Sequence, residues 1–318
     1  MPLTEVLMLL GFVLAAYSVV SNDSIQTLGT FLSSNAHRPW WLLWLFTGSI
    51  LVVVAVWGWV VNEGDPAHGR LEAFPPPAGG VNWLHVLAPF TLLVLTRLGV
   101  PVSTTFLVLS VFAPGNIENM LFKSLAGYAV AFVVAFGLYF SVRRLNDYLV
   151  RTAGTAEAEA RHWVILQWLA TAFLWSQWLI QDLANIFVFL PRTIDFTALL
   201  GSLALLLVMQ GIIYYQRGGR IQRIVTSKTL TTDIRSATII DFIFGLILLV
   251  FKEWSNMPMS TTWVFLGLLA GREIAMRVQS GGDLKAAGKL IGSDAFKAFA
   301  GLVVSVILAV AGIYFAGG

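Results

Sequence analysis

The sequence reads "GVPVSTTFLVLSVF" at 99–112 and "NMPMSTTWVFLGLL" at 256–269, and the shared Pro-x-Ser-Thr-Thr decides the fold. The two serines of the motif, Ser103 and Ser260, are 157 positions apart (260 − 103) in a chain of 318 residues. In each copy the proline ends the preceding helix, and the serine is a good N-cap for the apolar helix that follows. The motif therefore predicts that one structural unit occurs twice.

The composition is that of a membrane protein. Hydrophobic residues make up 57% of the chain and charged residues 12%, whereas soluble domains carry about 25% charged residues. Several of its apolar stretches approach the roughly 20 residues that cross a bilayer core as a helix. We therefore predict an all-α polytopic membrane protein. The first stretch, at about 4–20, lacks a basic leader and a small-residue cleavage site, so we expect a retained helix.

Several classes of function are excluded by composition. The chain has no cysteine, which rules out disulfides, haem thioethers and thiolate metal sites. Its four histidines are scattered without the spacing of metal ligands. The net charge of +3 arises from basic residues in links that flank membrane segments, so we predict no nucleic-acid partner. We predict no cofactor and no enzymatic activity.

The charges of two loops predict the orientation. The link after Tyr215 carries one acid and five basic residues, Arg217, Arg220, Arg223, Lys228 and Arg235. The loop 62–82 holds one arginine, Arg70, and three acids, Glu63, Asp65 and Glu72. Because basic loops stay in the cytoplasm, the first should be internal and the second external. Both termini are then external in a cytoplasmic (inner) membrane that the chain crosses many times.

A second pair of signals repeats in the same order. Asp23 and Asp182 are 159 positions apart (182 − 23), and each has an amide side chain three residues later. We therefore predict repeats at 1–150 and 160–318, each with a broken first helix, a second helix, a re-entrant hairpin and a closing helix. The hairpins should span about 83–113 and 237–270. An odd number of crossings inverts the second repeat, as in secondary transporters.

The two hairpin tips predict an anion site. A helix N-terminus offers free N–H groups and the positive end of a dipole, and the hydroxyls of the motif add donors. Two tips that enter from opposite faces would meet near the midplane as one oxyanion cradle. Its predicted residues are Ser103, Thr104, Thr105, Ser260, Thr261 and Thr262.

The Asp-x-x-amide motifs predict a cation site. A carboxylate within a membrane helix is costly and therefore a candidate functional residue. The predicted ligands are Asn22, Asp23, Gln26, Asp182 and Asn185. Their oxygens suit Na⁺ at Asp23 and Asp182, and a carboxylate can equally carry a proton. A cation beside an anion lowers the cost of desolvating both, which is the basis of symport.

These motifs resemble the inorganic phosphate transporter (PiT) family, which carries a duplicated Gly-Ala-Asn-Asp-x-Ala-Asn-Ala and a duplicated Pro-Val-Ser-Thr-Thr-His. Here the matching segments are "ND" at 22–23, "QDLAN" at 181–185 and the twin tips. The resemblance implies a homodimer in the membrane lipid that couples transport of inorganic phosphate to Na⁺ or H⁺. Phe106 and Trp263 stand where the family usually has histidine, which predicts a smaller or drier cavity.

Three alternatives stay open from the sequence. Hydroxyls and N–H groups bind sulfate and other tetrahedral oxyanions as well as phosphate. A channel would use the same polar lining without coupling. An intramembrane aspartic protease would use Asp23 and Asp182 as a carboxyl pair that shares a proton.

Overall fold

The computed structural model describes residues 2–97, 102–152, 156–218, 234–254 and 257–316. Every regular element in these ranges is helical. Six of the helices are long and apolar enough to cross a membrane. They are Leu3–Asp23, Trp40–Val61, Pro114–Ser141, Arg161–Phe187, Phe196–Tyr215 and Ile291–Ala311. The predicted all-α polytopic membrane protein is confirmed, and three of these spans lie in each half of the chain.

The first half begins with a helix that changes type without ending. Its elements are α1 (Leu3–Ser18), a π-helical segment (Val19–Asp23), α2 (Ser24–Ser34), α3 (Trp40–Val61), α4 (Trp83–Arg97), a second π-helical segment (Thr105–Leu109), α5 (Ser110–Phe112) and α6 (Ile117–Thr152). The predicted break of the first helix is thus a π-helical segment that holds the Asn-Asp motif. Such segments occur often at functional sites.

The second half repeats this order with different lengths. Its elements are α7 (Ala156–Asp182), α8 (Ala184–Phe187), α9 (Phe196–Tyr215), α10 (Ile234–Trp254), α11 (Thr261–Ser280) and α12 (Leu284–Ala316). The break between α7 and α8 is one turn residue, Leu183, directly after the motif aspartate. The hairpins predicted at 83–113 and 237–270 correspond to α4 with α5 and to α10 with α11.

The packing of the helices is matched between the halves. α11 packs on α6, and α12 correspondingly packs on α5 and the π-helical segment before it. α10 packs on α7 as α4 packs on α1, and α10 contacts α6 as α4 contacts α12. α3 contacts both α7 and α9, and α9 contacts α1. Exchange of the two halves therefore leaves this set of neighbouring helices unchanged.

α6 and α11 form the closest of these pairs. A Cβ atom at Gly267 would meet the carbonyl oxygen of Tyr128, and one at Gly271 would meet that of Phe132. The four-residue spacing puts both glycines on one face of α11, so the two backbones approach each other directly. This contact fixes the second hairpin against the closing helix of the first half.

Candidate functional site

The two Ser-Thr-Thr tips begin their helices in the same way. Ser103 Oγ accepts a hydrogen bond from the Phe106 amide at 3.2 Å, and Ser260 Oγ accepts one from the Trp263 amide, also at 3.2 Å. The side chain of an N-cap residue normally accepts from the amide three positions later. Both serines are therefore N-caps, as the sequence predicts. Pro101, the proline of the first motif, lies outside the described residues.

The tips also touch each other in the interior of the protein. The Thr105 hydroxyl of the first tip lies 3.3 Å from the carbonyl oxygen of Met259, the residue before Ser260. The rings of Phe106 and Trp263 are in contact, with their centroids 5.9 Å apart. Residues more than 150 positions apart in the sequence thus form one cluster. The contact between the Phe106 and Trp263 rings adds an apolar part to this cluster.

Asp182 and Asn185 lie directly against the first tip. Asn185 Nδ2 donates to Asp182 Oδ1 at 2.7 Å, and the Thr105 hydroxyl lies 3.3 Å from the same oxygen. The Thr261 hydroxyl of the second tip is also close enough to interact with the Asp182 carboxyl. The carboxyl of the second Asp-x-x-amide motif is therefore in contact with both tips.

Asp23 also lies against the first tip, at Thr104. Asn22 Nδ2 donates to Asp23 Oδ1 at 2.8 Å. The Asp23 carboxyl faces the Thr104 hydroxyl, and it is close enough to Asp182 for the two charges to repel each other. A cation or a proton between the two carboxyls removes this repulsion. The side chain of Gln26, a predicted ligand, lies outside the described part of the chain.

All these side chains are buried, yet some of their polar atoms lack a partner. None of the ten described site residues is more than 5% exposed; they are Asn22, Asp23, Ser103, Thr104, Thr105, Asp182, Asn185, Ser260, Thr261 and Thr262. Within the described ranges, Thr104 Oγ1, Asp182 Oδ2 and Asn185 Oδ1 have no hydrogen-bond partner. An unpaired buried polar group costs about 1–3 kcal/mol. A ligand that contacts these three atoms would recover this cost.

The oxygen atoms of the site are ligands of the kind that hard cations prefer. The described residues contain no group of three or more His, Cys, Asp or Glu side chains that could hold a metal ion. The two carboxyls are instead accompanied by the hydroxyls of Thr104 and Thr105 and the amide oxygen of Asn185. Such neutral oxygen ligands are typical of hard cations.

Sequence reasoning missed another carboxylate that is buried among the helices, Asp241 on α10. It is 1% exposed and accepts hydrogen bonds from the hydroxyls of Thr30 and Thr171, the latter at 2.6 Å. It therefore ties α10 to helices of both halves. The detectable signal was one aspartate in the apolar run "IIDFIF", since a carboxylate at membrane depth is a candidate functional residue.

The sequence also gave no reason to single out Arg70 on the loop 62–82. Its side chain is only 1% exposed. The guanidinium is close enough to Asp182 for an attractive interaction. Burial lowers the pKa of Arg70 to about 10, so the group stays charged at neutral pH. A positive charge from the loop thus acts on the buried site.

Fold and site together define a polytopic helical membrane protein with a buried polar centre between two hairpin tips. No family model and no curated protein matches the chain. A solved structure described as "The sodium-dependent phosphate transporter" does match, with a TM-score of 0.63 and 15% identity over 97% of this chain and 98% of that one. At this identity the match establishes a shared fold over essentially the whole of both chains.

Proposed function

We propose that the protein is a secondary transporter that moves inorganic phosphate across the cytoplasmic membrane together with a cation. The observation that carries the proposal is the meeting of two capped helix N-termini beside two carboxyls, with unpaired buried atoms between them. The shared fold with a structure described as a sodium-dependent phosphate transporter supports the same substrate and favours Na⁺. A catalytic role is not part of the proposal.

The anion binds between the tips in this proposal. The first turn after each serine offers backbone N–H groups that a helix cannot use internally. The threonine hydroxyls add donors, and the two dipoles present their positive ends. Because both tips contact Asp182, a bound anion repels this carboxylate unless a cation neutralises it. The geometry therefore supports coupled binding of the two ions.

We further propose that the two halves are inverted repeats. Three candidate spans in each half are the odd number that such an inversion requires. The loop 62–82 and both termini are external in this proposal. Alternating access then corresponds to movement of one half against the other around the tips. The family resemblance adds a homodimer, which is part of the proposal on that ground alone.

The experiment is uptake of radiolabelled phosphate into proteoliposomes that contain the purified protein. We expect accumulation that requires an inward Na⁺ gradient and persists without a proton gradient. Accumulation driven by the proton gradient alone would show that protons are the coupling ions, carried by the two carboxyls. Flux that needs neither gradient would show a channel, and uptake of radiolabelled sulfate in place of phosphate would show a sulfate permease.

The same preparation separates a transporter from an aspartic protease. A protease needs its two carboxyls and has no use for the hydroxyls of the second tip. Loss of phosphate uptake in Thr261→Val, with both aspartates intact, is expected for the transporter. Unchanged activity in that variant, with loss in Asp23→Asn, would contradict the proposed anion site.

A further inference from the structure

A cavity of about 560 Å³ lies between the loop 62–82 and the start of α6, outside the buried site. It is lined by Arg70, Glu72, Asn119, Lys123, Trp254 and Met257, among others. A volume of this size is typical of small-molecule sites. Its lining combines two basic side chains and one amide with a single acid, so the cavity has a positive charge.

The two basic side chains are buried at the wall of the cavity. Arg70 is 1% exposed and Lys123 is 4% exposed. Their charges are close enough to repel each other. Because burial weakens the screening of charges by water, this repulsion favours binding of an anion that contacts both groups. Asp182 and Glu253 attract Arg70 and balance part of its charge, and an anion in the cavity would balance more of it.

The cavity lies directly against the second tip. Lys123 Nζ donates to the carbonyl oxygen of Met257 at 2.7 Å. The next residue on α6, Ser124, accepts a hydrogen bond from the Ser260 amide at 2.9 Å. On the other wall, Arg70 interacts with Asp182 of the buried site. Both basic residues of the cavity are therefore one contact away from the site between the tips.

A second cavity on the same loop provides a contrast in charge. It measures about 630 Å³ and is lined by Glu63, Asp65, Glu72 and Arg192, together with neutral residues that include Thr193. The two cavities share Gly69 and Glu72, so they adjoin along one short segment of the loop. The second cavity is acidic and the first is basic, and of the two the first is the one lined by Met257.

We infer that the cavity lined by Arg70, Asn119 and Lys123 is an access subsite, where an inorganic oxyanion binds before it passes to the site between the two tips. This inference rests on the proposed function for the passage of the ion. The Arg70 guanidinium and the Lys123 ammonium group supply the charge, and the Asn119 amide adds a donor. Focusing of charge in such a cleft raises the local concentration of the anion about 10- to 1000-fold.

The absence of native cysteine permits a direct test of the charge in the cavity. Asn119→Cys introduces an exposed thiol into the lining of the basic cavity, and Thr193→Cys introduces one into the lining of the acidic cavity. The measurement is the rate of modification by a sulfonate-bearing and by a trimethylammonium-bearing methanethiosulfonate reagent. We expect the ratio of the anionic to the cationic rate to be about tenfold higher at 119 than at 193.

Removal of either charge should lower that ratio. Arg70→Gln or Lys123→Gln, each combined with Asn119→Cys, should bring it close to the value at 193, and Arg70→Lys should restore it. The matched control is Lys252→Gln, which removes a cation on the neighbouring α10 that does not line the cavity, and which should leave the ratio unchanged. Equal ratios at 119 and 193 in the parent would overturn the inference, even if the charge variants fail to fold.

Inorganic phosphate is the probe that separates this inference from the proposed function. We expect millimolar phosphate to slow the anionic reagent at 119 and leave its rate at 193 unchanged. If phosphate is transported but does not slow the reagent, the access subsite is wrong. If the reagent prefers 119 while phosphate is neither transported nor protective, the proposed phosphate transport fails and the anion selectivity of the cavity stands.

Discussion

The two tips begin alike and continue differently. Both serines cap the next turn with the same 3.2 Å hydrogen bond. After the first tip the chain forms a π-helical segment of five residues and then α5 with three. After the second tip it forms α11, a regular helix of 20 residues. The cap is thus encoded by the motif, whereas the helix that follows depends on its neighbours.

The neighbours of the tips explain the difference. α11 lies along α6, where Gly267 and Gly271 permit close contact over several turns. The first tip instead contacts the buried site, because the Thr105 hydroxyl lies within 3.3 Å of both Asp182 and Met259. Both tips thus reach Asp182, the first through Thr105 and the second through Thr261, but the helix after the second tip is also held by its contact with α6. Short π-helical segments, whose hydrogen bonds depart from the α-helical pattern, occur often at functional sites.

The largest expected effect is that of Asp182→Asn. Asn is nearly isosteric, but it removes the charge that accepts from Asn185 and interacts with both tips. Hydrogen bonds to a charged group contribute about 1.5–3 kcal/mol each, so the loss of two should lower phosphate uptake by about two orders of magnitude or more. The measurement is Na⁺-dependent uptake in proteoliposomes.

The control for this variant is Asp195→Asn, which changes an exposed aspartate at the N-cap of α9. It should transport normally, because Asn also caps helices well. Asp23→Asn should impair uptake less than Asp182→Asn, since the Asp23 carboxyl interacts with Thr104 of the first tip, whereas that of Asp182 interacts with both tips. Equal dependence on Na⁺ in the parent and in Asp182→Asn would remove this residue from the cation site.

The next effect concerns the contact between α11 and α6, which distinguishes the second tip from the first. Gly271→Leu places a side chain against the backbone of α6 at Phe132, and overpacking of this kind costs about 1–3 kcal/mol. We expect a clear drop in the thermal midpoint of the purified protein, measured by fluorescence-detected size-exclusion chromatography. Gly201→Leu on α9 is the control, because a Cβ there meets open space. A similar midpoint in both variants would mean that α11 does not need the close approach.

The third effect tests whether both tips serve one anion. Thr104→Val and Thr261→Val each remove one hydroxyl and keep the shape of the side chain. Loss of a donor to a charged acceptor should weaken phosphate binding by about 1–3 kcal/mol, or roughly 5- to 150-fold. Calorimetry on the two single variants and the double variant measures this. Normal binding in one single variant and none in the other would rule out a shared cradle.

Much of the site was accessible from the sequence because its signals are local and doubled. Proline followed by a serine cap predicts a helix start wherever it occurs, and two copies in register predict two related halves. The contact between Thr105 and Asp182 was only implied by that register. It became visible only in the folded chain, since a hydrogen bond over 77 positions leaves no local pattern.

Other features had no usable signal. The inward position of Arg70 depends on the path of the loop 62–82, and a single arginine in an acidic loop is typical of an exposed residue. The type of helix after each tip depends on which helix lies alongside, and the motifs are nearly identical there. Asp241 is a different case, because the aspartate in the run "IIDFIF" was a signal. It lacks a carboxylate counterpart in the first repeat, so the comparison of the halves did not identify it.

The smallest expected effect tests whether the two caps are equivalent. Replacement of an N-cap serine by alanine costs about 1 kcal/mol, because one amide of the first turn loses its acceptor. The capping hydrogen bonds of the two serines have the same length. Ser103→Ala and Ser260→Ala should therefore lower the thermal midpoint by similar amounts in phosphate-free buffer, although the helices that follow differ. Ser103→Thr and Ser260→Thr keep an acceptor and serve as controls. The contrary result is a much larger drop in the midpoint for Ser103→Ala that threonine does not rescue. It would show that the first tip needs this hydroxyl for more than capping, and that the two tips are alike in sequence but not in function.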